Sequence, residues 1–147
     1  AAELVVGGSW GAYWYNGHIY SSELSRGLDV LELVPSEFLS QNEIDAAKLV
    51  MIEQYNPQSQ PMLEWPAAFP VVRSYLDQLV RNNGLPTTRT TAIADALDAA
   101  EQATGAARGA QLNQLAAALD DDAANATDAE RVRAMAAAVR ELAEASQ

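Results

Sequence analysis

The dipeptide Asn16-Gly17 constrains this chain more than any other feature. Asn-Gly accepts positive φ at both centres of a type I′ turn, the turn whose twist matches two antiparallel strands. On either side lie β-favouring runs, residues 10–15 and 18–23, and the stretch from Trp10 to Leu33 carries five of the ten aromatic residues. A hairpin is therefore predicted at 10–23. A third run, Leu28 to Val34, comes after Ser25-Arg26-Gly27 and stops at Pro35, which predicts a three-stranded antiparallel meander. Glu3-Leu4-Val5-Val6 is a weaker candidate for a fourth strand.

Alternation along these strands is apolar on both faces. Trp10, Ala12 and Trp14 point one way and Tyr13 and Tyr15 the other, while Leu28 and Val30 oppose Leu31 and Leu33. A half-buried antiparallel sheet alternates apolar with polar, so this pattern asks for cover on both sides. Residues 36–66 offer Phe38, Leu39, Ile44, Tyr55, Leu63 and Trp65 to cover one face, leaving the other bare. Trp10, Tyr13, Trp14, Tyr15 and Tyr20 are the candidate interaction surface.

Composition changes abruptly downstream. No aromatic lies beyond Tyr75, and residues 92–147 hold 22 alanines. Ser40-Gln41-Asn42-Glu43 has capping-box spacing ahead of Ile44, Ala47, Leu49 and Ile52, predicting a helix over 41–54. Asn56 to Pro66, with three prolines, reads as an extended linker. Apolar stripes then predict a helix from Ala67 to about Val80, halted at Asn82-Asn83-Gly84, and others over 88–103, 110–119 and from 128 on. The last is entered through Thr127-Asp128-Ala129-Glu130, with Thr127 as its cap. The expected fold class is thus α+β: a blade-like meander at 1–35, a short helix and proline-rich linker at 36–66, and an alanine-rich helical bundle at 67–147 with a thin core.

Chemistry is harder to find. Gly7-Gly8-Ser9-Trp10-Gly11 matches the G-x-S-x-G nucleophile elbow, but an elbow leads into a helix and this one leads into a hairpin. The single histidine, His18, has no ligand set around it, and the chain has no cysteine. Asp120-Asp121-Asp122 with Asn125 and Asp128 lacks the spacing of a calcium loop and reads as an acidic helix end. Asn125-Ala126-Thr127 is formally a glycosylation sequon. A net charge of −11 makes nucleic acid and anionic membrane surfaces poor partners, and no apolar run is long enough for a membrane helix. No catalytic residue, cofactor or metal is assigned.

Tyr13-Trp14-Tyr15-Asn16-Gly17-His18-Ile19-Tyr20, then Glu23, then Arg26-Gly27-Leu28-Asp29-Val30-Leu31-Glu32-Leu33, resembles the terminal repeat of the LVIVD-repeat proteins, secreted bacterial proteins with β-propeller-like blades. Leu39-Ser40-Gln41-Asn42-Glu43-Ile44-Asp45 resembles the segment that such proteins carry after their last blade. The resemblance covers residues 9–34 best. It implies a blade that stacks on neighbours through both faces, a secreted or cell-envelope setting, and no catalytic residues. Only one such unit is present, so the chain is read as the C-terminal portion of a longer protein. Its helical part resembles small modules appended to other secreted bacterial proteins.

The function expected is non-catalytic binding or scaffolding. Its partners would be upstream blades of the same protein, another protein or a cell-envelope component, and the isolated sheet is expected to self-associate. The alternatives are part of a hydrolase or metal-dependent enzyme whose groups lie upstream, and a freestanding helical interaction module.

Overall fold

The computed structural model describes residues 7–59 and 62–146. The strand expected at Glu3 to Val6 lies outside them. Three strands, β1 (Ser9–Tyr15), β2 (His18–Glu23) and β3 (Gly27–Leu31), form an antiparallel sheet in the order β1-β2-β3. Five helices come next: α1 (Gln41–Lys48), α2 (Phe69–Arg81), α3 (Thr87–Gln102), α4 (Gly105–Ala123) and α5 (Ala129–Ala145), with one 3₁₀ turn at Pro57–Ser59. This is the α+β arrangement expected.

The hairpin turns where the dipeptide dictates. Asn16 and Gly17 have φ of 45° and 92°, the signs a type I′ turn demands at both centres. Pairing of Tyr15 with His18, Trp14 with Ile19 and Tyr13 with Tyr20 results from it. Near the other end the register slips between Ser9 and Gly11, leaving Trp10 as the extra residue of a bulge. Ser9, not Trp10, therefore joins the face of Ala12 and Trp14.

The third strand is shorter than the run to Val34 predicts. Leu31 pairs with Ile19, and one residue further β2 runs out into its turn. Glu32 instead places its carboxylate 3.3 Å from His18 Nε2. Beyond Leu31 the β-favouring residues have no strand to pair with, so they leave the sheet.

At the sheet's far end Glu23 organises the turn between β2 and β3. Its carboxylate accepts from the backbone N–H groups of Gly8 at 2.8 Å, Arg26 at 2.6 Å and Ser25 at 2.7 Å. The Gly8 and Arg26 donors foremost hold its carboxyl below the ordinary glutamate range. A charged side chain at a sheet position is thus consumed by loop amides rather than presented for chemistry.

The four long helices make the core. α2 packs on α3, α3 on α4, α4 on α5 and α5 back on α2, closing a ring. Its centre is filled by Val72, Leu79, Ile93, Leu97, Leu112, Leu119, Val132, Met135 and Val139, all with no accessible surface. Ala100, Ala116, Ala123, Ala136 and Ala143 complete the same cluster, so close helix approach substitutes for large side chains. No strand residue belongs to this cluster. The helical body buries its apolar faces without help from the sheet.

Several helix ends differ from the sequence expectation. α1 stops at Lys48 rather than continuing to 54, because the backbone of Ile52 is taken by Asn16: Ile52 N–H donates to Asn16 Oδ1 at 2.8 Å, and Asn16 Nδ2 donates to Ile52 O at 3.1 Å. A side-chain amide far upstream thereby outcompetes helix propagation and latches the hairpin tip onto the segment after α1. α4 begins at Gly105 instead of 110 and runs to Ala123 instead of stopping at 119. Arg108 lies inside it and donates to Ala100 O, Ala103 O and Glu101 O at 3.2, 2.8 and 3.1 Å, capping the C-terminus of α3 from the next helix. Asp128, not Thr127, caps α5, its carboxylate accepting from Arg131 N–H at 3.1 Å.

The capping box at the head of α1 is present in both directions. Ser40 Oγ accepts from Glu43 N–H at 3.1 Å, and Glu43 Oε2 accepts from Ser40 N–H at 2.7 Å. The same carboxylate accepts two bonds from Arg81 at 2.8 and 2.7 Å, tying α1 to the end of α2. Chiefly through Arg81, the Glu43 carboxyl is held down at about 2. Its folded pKa lies below its unfolded one near 4.5, so the pair contributes above that value and is lost as pH falls towards 2. After allowance for the solvent beside it, Glu43→Gln is expected to cost about 1 kcal/mol at neutral pH. Urea midpoints of the two proteins should converge near the acid limit; an equal difference at every pH would show that the ion pair is not the cause.

Candidate functional site

The tyrosines come together on one face of the sheet. Alternation and register place Tyr13, Tyr15 and Tyr20 on the same side, with His18, Leu28 and Val30. Tyr55, from the segment behind α1, closes on them: its ring centroid lies 6.1 Å from that of Tyr13, inclined 66°, and 6.1 Å from that of Tyr15, inclined 50°. Tyr15 meets Tyr20 edge to face at 6.2 Å and 62°, and His18 flanks Tyr20 at 6.4 Å. These are the mutually inclined arrangements that ring quadrupoles favour. The Tyr15 hydroxyl reaches the carbonyl of Glu53 at 3.5 Å, which, with the Asn16 latch, holds residues 52–55 beside the hairpin.

Tyr13, Tyr15, Tyr20, Glu53, Gln54 and Tyr55 line a shallow cavity of about 580 Å³ that is widely open to solvent. That is the size range of small-molecule sites, and the walls are mainly aromatic. Among the described residues Glu53 is the one acidic residue in the lining. An adjoining groove of about 620 Å³ runs between residues 49–54 and 62–66, past Met51, Met62 and Trp65.

Of the five candidate surface residues, three share this site and two do not. Trp14 lies on the opposite face, across from Ile19, with Leu31 on the far side of Ile19, and Trp10 projects from the bulge with 79% of its surface exposed. Both faces retain bare apolar groups: Tyr13, Leu28 and Val30 on one, Leu31 on the other. Cover from residues 36–66 is correspondingly slight. Tyr55 roofs part of the tyrosine face, whereas Phe38 and Trp65 are themselves 75% and 48% exposed. Tyr55 was expected among the covering residues, whereas Glu53 and Gln54 were not legible as site residues because only the long-range latch at Ile52 brings them there.

The other sequence candidates are committed to structure. Ser9 Oγ bonds Ser21 Oγ at 2.6 Å inside the sheet, and His18 sits at the opposite end of the hairpin, about 20 Å away at ordinary strand rise. Asp120 pairs with Arg140, Asp122 with Arg89 at 2.6 Å, and Asp128 with Arg131 and Asn82. Among the described residues no group of three His, Asp or Glu converges to hold a metal, and no helix is long and apolar enough to cross a membrane.

Fold and site together define an α+β chain in which a helical body carries a small sheet with an aromatic-walled cavity. No protein-family model matches the chain, and neither a curated protein nor a solved structure is significantly similar to it.

Proposed function

We propose that this chain is a non-catalytic binding or scaffolding segment whose β-meander docks against further β-structure. One observation carries the reading: a three-stranded sheet outside the helical core leaves apolar side chains exposed on both faces, Leu28 at 61% and Val30 at 54% on one and Leu31 at 49% on the other. A lone sheet of this size is marginal in water, and apolar surface of this kind marks an interaction site. Its outer strands also offer edges for pairing. The resemblance to the terminal LVIVD repeat points the same way, because a blade is covered on both faces by its neighbours. In that setting the partners are preceding blades of the same protein or a component of the bacterial envelope or exterior, and the helical body is an appended module.

Deprived of such neighbours, the sheet is expected to find copies of itself. Sedimentation of the full chain at tens of micromolar should show self-association that Leu28→Lys combined with Leu31→Lys abolishes, one charge being placed on each face. Both positions are exposed, so the helical circular dichroism should persist. A strictly monomeric wild-type chain whose β1 and β3 amides resist hydrogen exchange would overturn the proposal.

A further inference from the structure

We propose that the tyrosine cavity binds an organic cation of the quaternary ammonium type, such as a choline-like group or a trimethylated lysine. The inference rests on the non-catalytic binding reading and names a ligand for one part of the same sheet. Four tyrosine rings, three from the hairpin and Tyr55 from the facing segment, are linked through three neighbouring pairs inclined by 50° to 66°, so they form facets rather than a flat platform. The face of each ring is electron-rich, and a cation within about 6 Å of several ring centroids gains from each. Centroid spacings of 6.1 to 6.2 Å leave the cavity of about 580 Å³ open to such a group, which is larger than a metal ion and weakly hydrated.

Charge selects among ligands for this cavity. Glu53 is the one acidic residue among the described residues that line it, and the chain as a whole carries −11. An anion is therefore disfavoured both by the local acid and by the surrounding field. A neutral sugar would stack on a flat ring and seek several hydrogen-bonding groups; Gln54 is the one side-chain amide in the lining. An alkylammonium uses what is there: ring faces for its methyl groups and a single carboxylate for its charge. The Asn16 latch on Ile52 matters to this site, since it sets Glu53 and Tyr55 opposite the hairpin.

The test is titration of the full chain at low micromolar concentration, where the sheet is least associated, with choline, with its uncharged isostere 3,3-dimethylbutanol and with a cello-oligosaccharide, monitored by tyrosine ring shifts in NMR spectra. Choline is expected to perturb Tyr13, Tyr15, Tyr20 and Tyr55 and to bind roughly tenfold more tightly than the isostere. Tyr55→Ala should weaken it by about tenfold and Glu53→Gln by about threefold, with the sheet's amide spectrum otherwise retained. Equal binding of the uncharged isostere, binding of the oligosaccharide instead, or no shift with any of the three would each overturn the proposal. These outcomes are separable from failure of the docking reading, which is decided by sedimentation and involves Leu28 and Leu31.

Discussion

Replacing Leu119 with alanine is expected to destabilise the helical body by about 3 kcal/mol. Leu119 is on α4, has no accessible surface, and belongs to the one cluster into which α2, α3, α4 and α5 all project. The size of the effect comes from what surrounds it. Ala116, Ala123, Ala136 and Ala143 share this cluster with Leu112, Leu115, Val132, Met135, Val139 and Leu142, and alanine has no rotamers with which to collapse into a void. A cavity at Leu119 therefore stays largely open. Because a domain of this size is held by about 5–15 kcal/mol in all, the loss is a substantial fraction of total stability. Chemical denaturation monitored by helical circular dichroism measures it, and a cost below about 1 kcal/mol would show that the alanine-rich core repacks. The comparison with Leu28→Lys and Leu31→Lys gives the result its functional meaning. If the core closes without the sheet, the lysine substitutions should remove association and leave this transition in place.

Gly84→Ala is the second large effect, expected at about 2 kcal/mol. The end of α2 is a Schellman arrangement: Gly84 N–H donates to Leu79 O at 2.8 Å, Asn83 N–H to Val80 O at 3.3 Å, and Asn83 takes the left-handed conformation with φ of 54°. Gly84 itself is required for room. A Cβ there would lie 2.6 Å from Leu79 Cδ2, 2.8 Å from Asn82 Oδ1 and 3.1 Å from Asp128 Cβ. The leucine could swing aside, but Leu79 is fully buried and Asp128 is fixed as the cap of α5. The Gly84 carbonyl also accepts from Thr127 N–H at 3.0 Å and from Asp128 N–H at 3.4 Å. The end of α2 and the start of α5 thus meet backbone to backbone at this one residue. Alanine should lower the denaturation midpoint without lowering helix content under native conditions. An unchanged midpoint would mean that the two helix ends separate at little cost.

Proposed site and proposed ligand depend on a division of labour between the two parts of the chain. The helical body supplies a folded platform, with α1 tied to it by the Glu43–Arg81 pair and by Asn42 Nδ2 donating to Asp77 at 2.8 Å. The segment after α1 then carries Glu53 and Tyr55 to the hairpin.

Features that depend on neighbours a few residues apart were readable in the chain before any fold was known. Asn16-Gly17 specify the turn through their tolerance of positive φ, Ser40 and Glu43 specify a helix start through reciprocal hydrogen bonds, and the spacing of Ile93 and Leu97, or of Val132, Met135 and Val139, specifies which helix face is buried. Alternation likewise placed Tyr13 and Tyr15 on one side of β1. Competition between local preference and a distant partner was settled only by the packed molecule. Residues 49–54 have a helical stripe, yet α1 stops at Lys48 because the Asn16 amide claims the Ile52 backbone, more than thirty residues away in sequence. Val34 is as β-prone as Val30, yet β3 ends at Leu31 because β2 has turned away. Nothing local to Arg108 signals that its guanidinium caps α3, and Trp10 reads as a partner of Trp14 until the bulge rotates it out. Tyr55 joins three tyrosines from the hairpin for the same reason. A periodicity reports which way a side chain points from its own backbone, whereas a site between two segments exists only once hydrogen bonds between them have set their distance.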